Sequence, residues 1–137
     1  MEQTFGRYRL LERLGEGGMA EVFKAKSFGV EGFEKVLVIK RILPKLAEHP
    51  KFVDMFVHEA KLAVRLSHAN IVQVFDLGRV EDPGGEAPSY FIAMEYVPGL
   101  DLATVLARCR RQKLAIPFGM AVFLAAEVAK ALDHAHR

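Results

Sequence analysis

Short β-compatible stretches, in which hydrophobic and polar residues alternate or β-branched residues cluster, dominate the first two thirds of the chain. Five such stretches are expected to form strands: Tyr8 to Leu14, Ala20 to Lys26, Lys35 to Ile42, Ile71 to Leu77 and Tyr90 to Val97. Turn-forming residues separate them, including a glycine cluster after the first stretch and Asp82-Pro83-Gly84-Gly85 before the last. We therefore expect five strands before Pro98.

Helical spacing replaces this pattern in three places. Phe52, Phe56, Ala63 and Leu66 lie on one stripe and predict an amphipathic helix between the third and fourth strands. After Pro98-Gly99 the composition changes to helix formers, and two further apolar stripes follow. Their members are Leu102, Val105, Leu106 and Cys109 in the first stripe, and Val122, Ala125, Val128 and Leu132 in the second. We expect one strand-rich domain over residues 1–97 and a helical part over residues 98–137.

Composition narrows the possible environments and partners. The 137 residues are 51% hydrophobic, enough for a real core, and the net charge of +2 gives no reason to expect nucleic acid or an anionic membrane as a partner. The single cysteine, Cys109, excludes an internal disulfide and fits a reducing compartment. Met1 to Leu10 lacks the apolar stretch of a secretory signal. The longest uncharged apolar run, Leu114 to Ala126, is shorter than the roughly 20 residues of a membrane span. We expect a cytoplasmic location.

The glycine cluster Gly15-Glu16-Gly17-Gly18-Met19-Ala20 is the first candidate for chemistry. Glycines let a backbone approach phosphates closely and turn its N–H groups toward them, although an isolated cluster of this kind is more often an ordinary hairpin turn. A dinucleotide-binding fold would open a helix here, but the β-prone Glu21-Val22-Phe23 follows. No Gly-Lys-Ser/Thr follows either, which disfavours a P-loop. A glycine-rich hairpin lying over a nucleotide is the more consistent interpretation.

Lys40 and Glu59 form the second candidate. Strand alternation places Val36, Val38 and Lys40 on one face, so the lysine ends an apolar row. It is either an exposed strand end or an ammonium that pairs with phosphate oxygens. Glu59 continues the stripe of Phe52 and Phe56, so it either needs a partner such as Lys40 or lies at the edge of the stripe in solvent.

Taken in order, these segments resemble landmarks of the protein kinase family. The landmarks are Leu14 to Val22, Val38-Ile39-Lys40, Glu59 and Met94-Glu95-Tyr96-Val97. The chain is most similar to bacterial eukaryotic-like (Hanks-type) serine/threonine kinases over essentially its whole length. The resemblance implies an α+β fold: a kinase N-lobe with a five-stranded antiparallel sheet and its C helix, followed by the first two helices of the C-lobe.

The resemblance also implies site residues. The loop residues Gly15, Glu16, Gly17, Gly18, Met19 and Ala20 would lie over the ATP phosphates, and Lys40 would pair with the phosphates and with Glu59. Leu14, Val22 and Val38 would enclose the adenine, with Met94 at the back of the pocket. Glu95 and Val97 would offer hinge backbone groups. Asp101 would reach the ribose or a substrate, or would cap the helix that begins at Leu102.

Two positions depart from the family pattern: Ala20 replaces the third glycine, and Val38 stands where the family has alanine. The catalytic aspartate loop and the magnesium-binding Asp-Phe-Gly are absent, so Mg²⁺ ligands are expected only beyond Arg137. We read His136-Arg137 as a helix end. We therefore expect an enzyme that uses Mg-ATP to phosphorylate protein hydroxyls, with residues 1–137 alone inactive. The alternative is a non-catalytic module that binds nucleotide or docks on a protein.

Overall fold

The computed structural model describes residues 3–81 and 88–137. Within these residues, six strands form one antiparallel sheet in the order β1-β2-β3-β4-β6-β5. The strands are β1 (Gln3–Phe5), β2 (Tyr8–Gly17), β3 (Ala20–Phe28), β4 (Glu34–Ile42), β5 (Val74–Val80) and β6 (Ser89–Met94). The helices are α1 (Pro50–Ala63), α2 (Leu102–Arg111) and α3 (Phe118–Ala135), and a 3-10 turn covers Val30–Gly32. The expected α+β fold is confirmed.

The first strand, β1, was not predicted, so the described sheet has one strand more than the five expected. Its three residues carry too little alternation to be recognised alone. A tight connection at Gly6, with φ of +58°, folds β1 back onto β2, and Phe5 becomes almost fully buried. The strand therefore exists because of its pairing partner and its buried side chain.

Several predicted boundaries were also wrong by a few residues, among them the ends of β2 at Gly17 instead of Leu14 and of β5 at Val80 instead of Leu77. β5 begins at Val74 instead of Ile71, because the Ile71 N–H donates to the His68 carbonyl and continues a turn. β6 ends at Met94 instead of Val97. α1 ends at Ala63, after which the hydrogen bonds tighten to three-residue spacing up to Leu66. The predicted turn Asp82-Pro83-Gly84-Gly85 lies outside the described residues.

The sheet buries apolar side chains on both faces. On one face, Phe56 and Ala60 of α1 pack against Ile42, Val74 and Ile92. The opposite face has a cluster of its own, whose members are Phe5, Tyr8, Leu10, Ala25, Leu37, Ile39, Phe91 and Ala93. Because strand side chains alternate, consecutive residues of β4 serve different faces. The sheet therefore has a helix-covered face and a second face, which we call the outer face.

The contacts divide the chain into two compact units. One comprises the residues up to Ser67 together with Val72–Tyr96, and it contains the sheet and α1. The other comprises His68–Ile71 and Val97–Arg137, which contain α2 and α3. In this second unit, the Asn70 side chain donates to the backbone carbonyl of Glu127 at 3.0 Å and to its carboxylate at 2.7 Å. In the described part of the chain, no helix has the length and apolarity that crossing a bilayer requires. The domain boundary expected after residue 97 stays a prediction.

Candidate functional site

The glycine cluster forms the tip of a β-hairpin. β2 continues to Gly17, which pairs with Ala20 at the start of β3, so Gly18 and Met19 make a two-residue connection. Gly18 has φ of +55°, a conformation that residues with a Cβ rarely adopt. The Met19 carbonyl accepts a hydrogen bond of 2.8 Å from the Leu43 N–H, just beyond β4. A strand follows the glycines, as the sequence predicts, and the tip is attached to the end of the next strand.

Packing within the protein does not explain why Gly15 and Gly17 are glycines. Neither has the left-handed backbone that favours glycine, and a Cβ built on either would meet no protein atom within 4 Å. Both backbone segments therefore border open space. That is the condition under which the missing Cβ lets an external group, such as a phosphate, approach the N–H groups.

Ala20, at the position of the third glycine, has a different environment. It pairs with Ile42 across β3 and β4 and is 2% exposed, within the helix-covered cluster. Its methyl group thus belongs to the protein core. Of the other loop residues, Glu16 lies on the exposed end of β2, where its carboxylate is 3.3 Å from the Arg13 guanidinium.

Lys40 and Glu59 form an ion pair, with Nζ and Oε1 3.6 Å apart. The lysine comes from β4 and the glutamate from α1, which packs on the same face of the sheet. The side chains are 32% and 62% exposed, so the pair is not buried and Glu59 lies at the edge of the apolar stripe. Of the two placements that the sequence allowed for Glu59, the structure shows the solvent edge, and the pairing with Lys40 is nevertheless present.

Cross-strand pairing places three more predicted residues on the face that carries Lys40. Val22 of β3 lies directly opposite Lys40, and Val38 lies opposite Met94 of β6. Val38 is buried, whereas Val22 and Met94 are half-buried. Leu14 lies at an irregularity in the β2–β3 register and is 46% exposed, so alternation alone does not assign it to this face.

Glu95 follows β6 and makes two hydrogen bonds to Gln73. Its N–H donates to the Gln73 carbonyl at 2.9 Å, and its carboxylate accepts from the Gln73 N–H at 3.1 Å. Because the Glu95 N–H already has this partner, its carbonyl is the backbone group it can offer to a ligand. Next along the chain, Tyr96 carries the Lys24 ammonium over its ring, 4.9 Å from the centroid.

Val97 and Asp101 belong to the second compact unit. Val97 is exposed. Asp101 caps α2, with its carboxylate accepting a hydrogen bond of 2.6 Å from the Thr104 N–H. Hydrogen bonds from the Thr104 hydroxyl and N–H lower the pKa of Asp101 below its ordinary value. The capping alternative is therefore present in the structure, and a contact with ribose or substrate stays a prediction.

Comparisons with known proteins decide the family. The protein kinase domain family matches residues 8–137, nearly the whole chain. The chain belongs to the protein kinase family. Relatives of this kinase chain include the tyrosine-protein kinase MasK of Myxococcus xanthus, 43% identical over 134 residues, and the serine/threonine-protein kinase PksC of Streptomyces coelicolor, 38% identical over 131 residues.

The matches cover nearly all of this chain but only a small part of each relative. The matched segments are 98% and 96% of the kinase chain, but only 20% of MasK and 23% of PksC. Among solved structures, the PknI kinase domain of Mycobacterium tuberculosis has a TM-score of 0.71 and 33% identity, covering 98% of this chain and 50% of that one. The resemblance to bacterial eukaryotic-like kinases is confirmed, and the chain spans about half of a solved kinase domain.

Over residues 3–81 and 88–137, no group of three or more histidine, cysteine or acidic side chains is arranged to hold a metal ion.

Sequence reasoning missed Arg41 and Glu21, which form a short ion pair on the outer face. This is the face of the sheet opposite to the one that carries Lys40. Their cross-strand position follows from the β3–β4 register, which the sequence alone does not specify.

Proposed function

We propose that residues 1–137 are the ATP-binding part of a kinase that transfers the γ-phosphate of Mg-ATP to serine or threonine hydroxyls of protein substrates. One observation carries the proposal. The Lys40–Glu59 ion pair lies on the sheet face where Val22, opposite Lys40, continues directly from the glycine hairpin. An ammonium held by a carboxylate next to a glycine hairpin is the arrangement by which kinases hold ATP phosphates.

The other predicted residues take roles that fit their positions. The open backbone at Gly15 and Gly17 would face the phosphates, with Glu16, Gly18, Met19 and Ala20 completing the hairpin. Val22, Val38 and Met94 would contact the adenine from the Lys40 face, together with Leu14. The Glu95 carbonyl and the Val97 backbone would bind the adenine edge, and Asp101 the ribose. ATP brings a transferable phosphoryl group, and residues beyond 137 would supply the Mg²⁺ ligands and the catalytic aspartate.

Tyrosine is a second candidate for the residue whose hydroxyl accepts the phosphate. PksC is named a serine/threonine kinase, but MasK, 43% identical to this chain, is named a tyrosine kinase. Phosphoamino-acid analysis of a protein substrate labelled by the complete protein would distinguish the two. We propose serine and threonine hydroxyls as the acceptors, on the family resemblance. On the same resemblance, we propose a cytoplasmic location for the protein.

ATP binding is tested by replacing Lys40. We expect Lys40→Met to weaken ATP binding by about tenfold or more, because it removes a charge-assisted contact to the phosphates. Isothermal titration of the natural protein that carries this chain measures the Kd. The matched control is Lys26→Met, because Lys26 is 35% exposed and also pairs with a glutamate, Glu34, at 3.3 Å.

The free energies of unfolding of the two variants should lie within about 1 kcal/mol of that of the parent, since exposed ion pairs contribute little to stability. Equal ATP affinity for the Lys40→Met variant and the parent would contradict the proposed role of Lys40. If the parent protein itself bound ATP but transferred no phosphate, the non-catalytic nucleotide-binding module would be the better description.

A further inference from the structure

A chain of charged side chains crosses three strands at the base of the glycine hairpin. The Arg41 Nε of β4 donates to the Glu21 carboxylate of β3 at 2.5 Å. The second oxygen of Glu21 is 3.6 Å from the Arg13 guanidinium of β2, which in turn is 3.3 Å from Glu16. We call these four residues, Arg13, Glu16, Glu21 and Arg41, the hairpin network. It extends from the glycine cluster to the residue next to Lys40.

The central pair of the network is enclosed more than an ordinary surface pair. The Glu21 and Arg41 side chains are 12% and 18% exposed, against 32% and 62% for Lys40 and Glu59. Two aromatic rings lie beside the Arg41 guanidinium, with the Phe23 centroid 4.8 Å and the Phe5 centroid 5.4 Å away. A planar guanidinium can stack on rings and donate to a carboxylate at the same time, so its geometry is well defined.

Enclosing an ion pair costs desolvation, and replacing such a pair by apolar residues is often neutral or stabilising. Stability alone therefore does not account for the pair. Its position offers another explanation. Glu21 comes directly after Ala20 at the end of the hairpin, and Arg41 comes directly after Lys40. The pair thus adds a side-chain link on the outer face between the two elements that would contact phosphate, next to the backbone pairing of Val22 with Lys40.

A second attachment acts at the tip of the hairpin, where the Met19 carbonyl accepts from the Leu43 N–H at 2.8 Å. The hairpin is therefore attached to the β4 end of the sheet at its tip and at its base. Without the network, the hairpin would be held by the tip hydrogen bond, the β2–β3 ladder and the end of the β3–β4 ladder, where Ala20 pairs with Ile42.

We propose that the hairpin network positions the glycine hairpin relative to Lys40, so that both reach the same phosphates. Glu21 and Arg41 are positioning residues: they lie on the outer face, act through the hairpin and Lys40, and do not contact the nucleotide. This inference rests on the proposed ATP binding for its functional consequence, but its structural consequence can be measured without any nucleotide.

Hydrogen exchange of the natural protein without nucleotide tests the structural consequence. We expect Arg41→Met to speed the exchange of the amides of residues 15–20 about tenfold, because a hydrogen bond to a charged group is lost, while the amides of α1 keep their rates. The matched control is Arg7→Met. Arg7 also lies over an aromatic ring, 5.2 Å from the Tyr8 centroid, and pairs with Asp76 at 3.3 Å, but it precedes β2 at the end of that strand opposite to the glycine cluster.

Binding measurements test the functional consequence. We expect Arg41→Met to raise the Kd for ATP about tenfold and to leave the Kd for adenosine unchanged, because only the phosphate contacts depend on the hairpin. Arg7→Met should change neither constant. The Glu21→Gln variant, which keeps the shape of the side chain and the ring contacts of Arg41, should reproduce both effects if Arg41→Met does not fold.

The outcomes separate the two proposals. Faster exchange throughout the sheet and α1, or no change at residues 15–20, would overturn the positioning role. Equal losses of ATP and adenosine affinity would overturn it as well, since a structural defect affects both ligands. If the parent protein bound no ATP while exchange at residues 15–20 still rose in the variants, the proposed function would fail and the positioning of the hairpin would stand.

Discussion

At the residue scale, the Lys40–Glu59 pair is central to the proposed function but contributes little to stability. Its 3.6 Å distance and exposed glutamate make it a surface pair, which contributes at most about 1 kcal/mol to folding. The position of the ammonium, next to Val22 and the glycine hairpin, is therefore the property that matters for the proposed function. Glu21 and Arg41 have the opposite character, since they are enclosed and lie on the outer face of the sheet.

Asp101 gives a pH-dependent prediction at this scale. Its pKa is lowered in the folded protein by the Thr104 hydroxyl and N–H, so the cap stabilises α2 fully above the ordinary aspartate pKa of about 3.9. This contribution is lost as the pH falls through the lowered folded value. We expect the Thr104 amide resonance to shift in that range, below about pH 4.

Asp101→Asn is the control for this titration. Asparagine caps helices about as well as aspartate but does not ionise in this range. The variant should keep α2 and lose the pH-dependent shift of the Thr104 amide. A shift that persists in the variant would show that another group titrates near this helix.

At the element scale, the β5–β6 pair depends on a glycine. Gly78 lies opposite Phe91, and a Cβ on it would come within 2.4 Å of the Phe91 ring. That ring packs edge-on against Phe5 and Tyr8, with centroids 5.3 and 5.4 Å away. The glycine therefore makes room for an aromatic cluster that joins β6 to β1 and β2 on the outer face.

We expect Gly78→Ala to lower the free energy of unfolding by about 1–3 kcal/mol, the usual cost of overpacking a core. Urea unfolding followed by circular dichroism measures it. Gly119→Ala in α3 is the control, because a Cβ there meets no atom within 4 Å and alanine is the better helix former. A Gly78→Ala variant as stable as its parent would mean that Phe91 has room to move.

At the scale of the whole chain, α2 and α3 bear apolar side chains that remain in solvent. The exposed set includes Leu102, Phe118, Met120, Val122, Phe123, Val128 and Leu132. Large apolar side chains left in solvent favour association with another apolar surface. The chain that carries these helices covers only 50% of the PknI kinase domain.

We expect the 137-residue polypeptide, prepared alone, to self-associate through α3. Leu132→Lys should shift it toward the monomer in light scattering, because a charge on the apolar surface opposes burial. Leu62→Lys on α1 is the matched control, since Leu62 is 54% exposed and Leu132 is 52% exposed. A monodisperse parent polypeptide would refute the prediction, as would equal effects of the two variants.

Local sequence determined the kind and order of most elements. Alternation located β2 to β4 and β6, helical spacing located α1, and the strand after the glycines excluded a dinucleotide-binding helix. These features depend on periodicity and glycine conformation, which act over a few residues. The family landmarks lie in the same elements, and so the kinase family could be named from the sequence.

Tertiary structure decided what depends on residues distant in sequence. β1 forms because β2 pairs with it, and β5 begins where its hydrogen bonds to β6 begin. Glu59 lies in solvent because the packing of α1 sets its rotation on the sheet. The Glu21–Arg41 contact joins residues 20 apart through the β3–β4 register. Periodicity limits which residues can share a face, but only strand pairing and helix packing select the ones that meet.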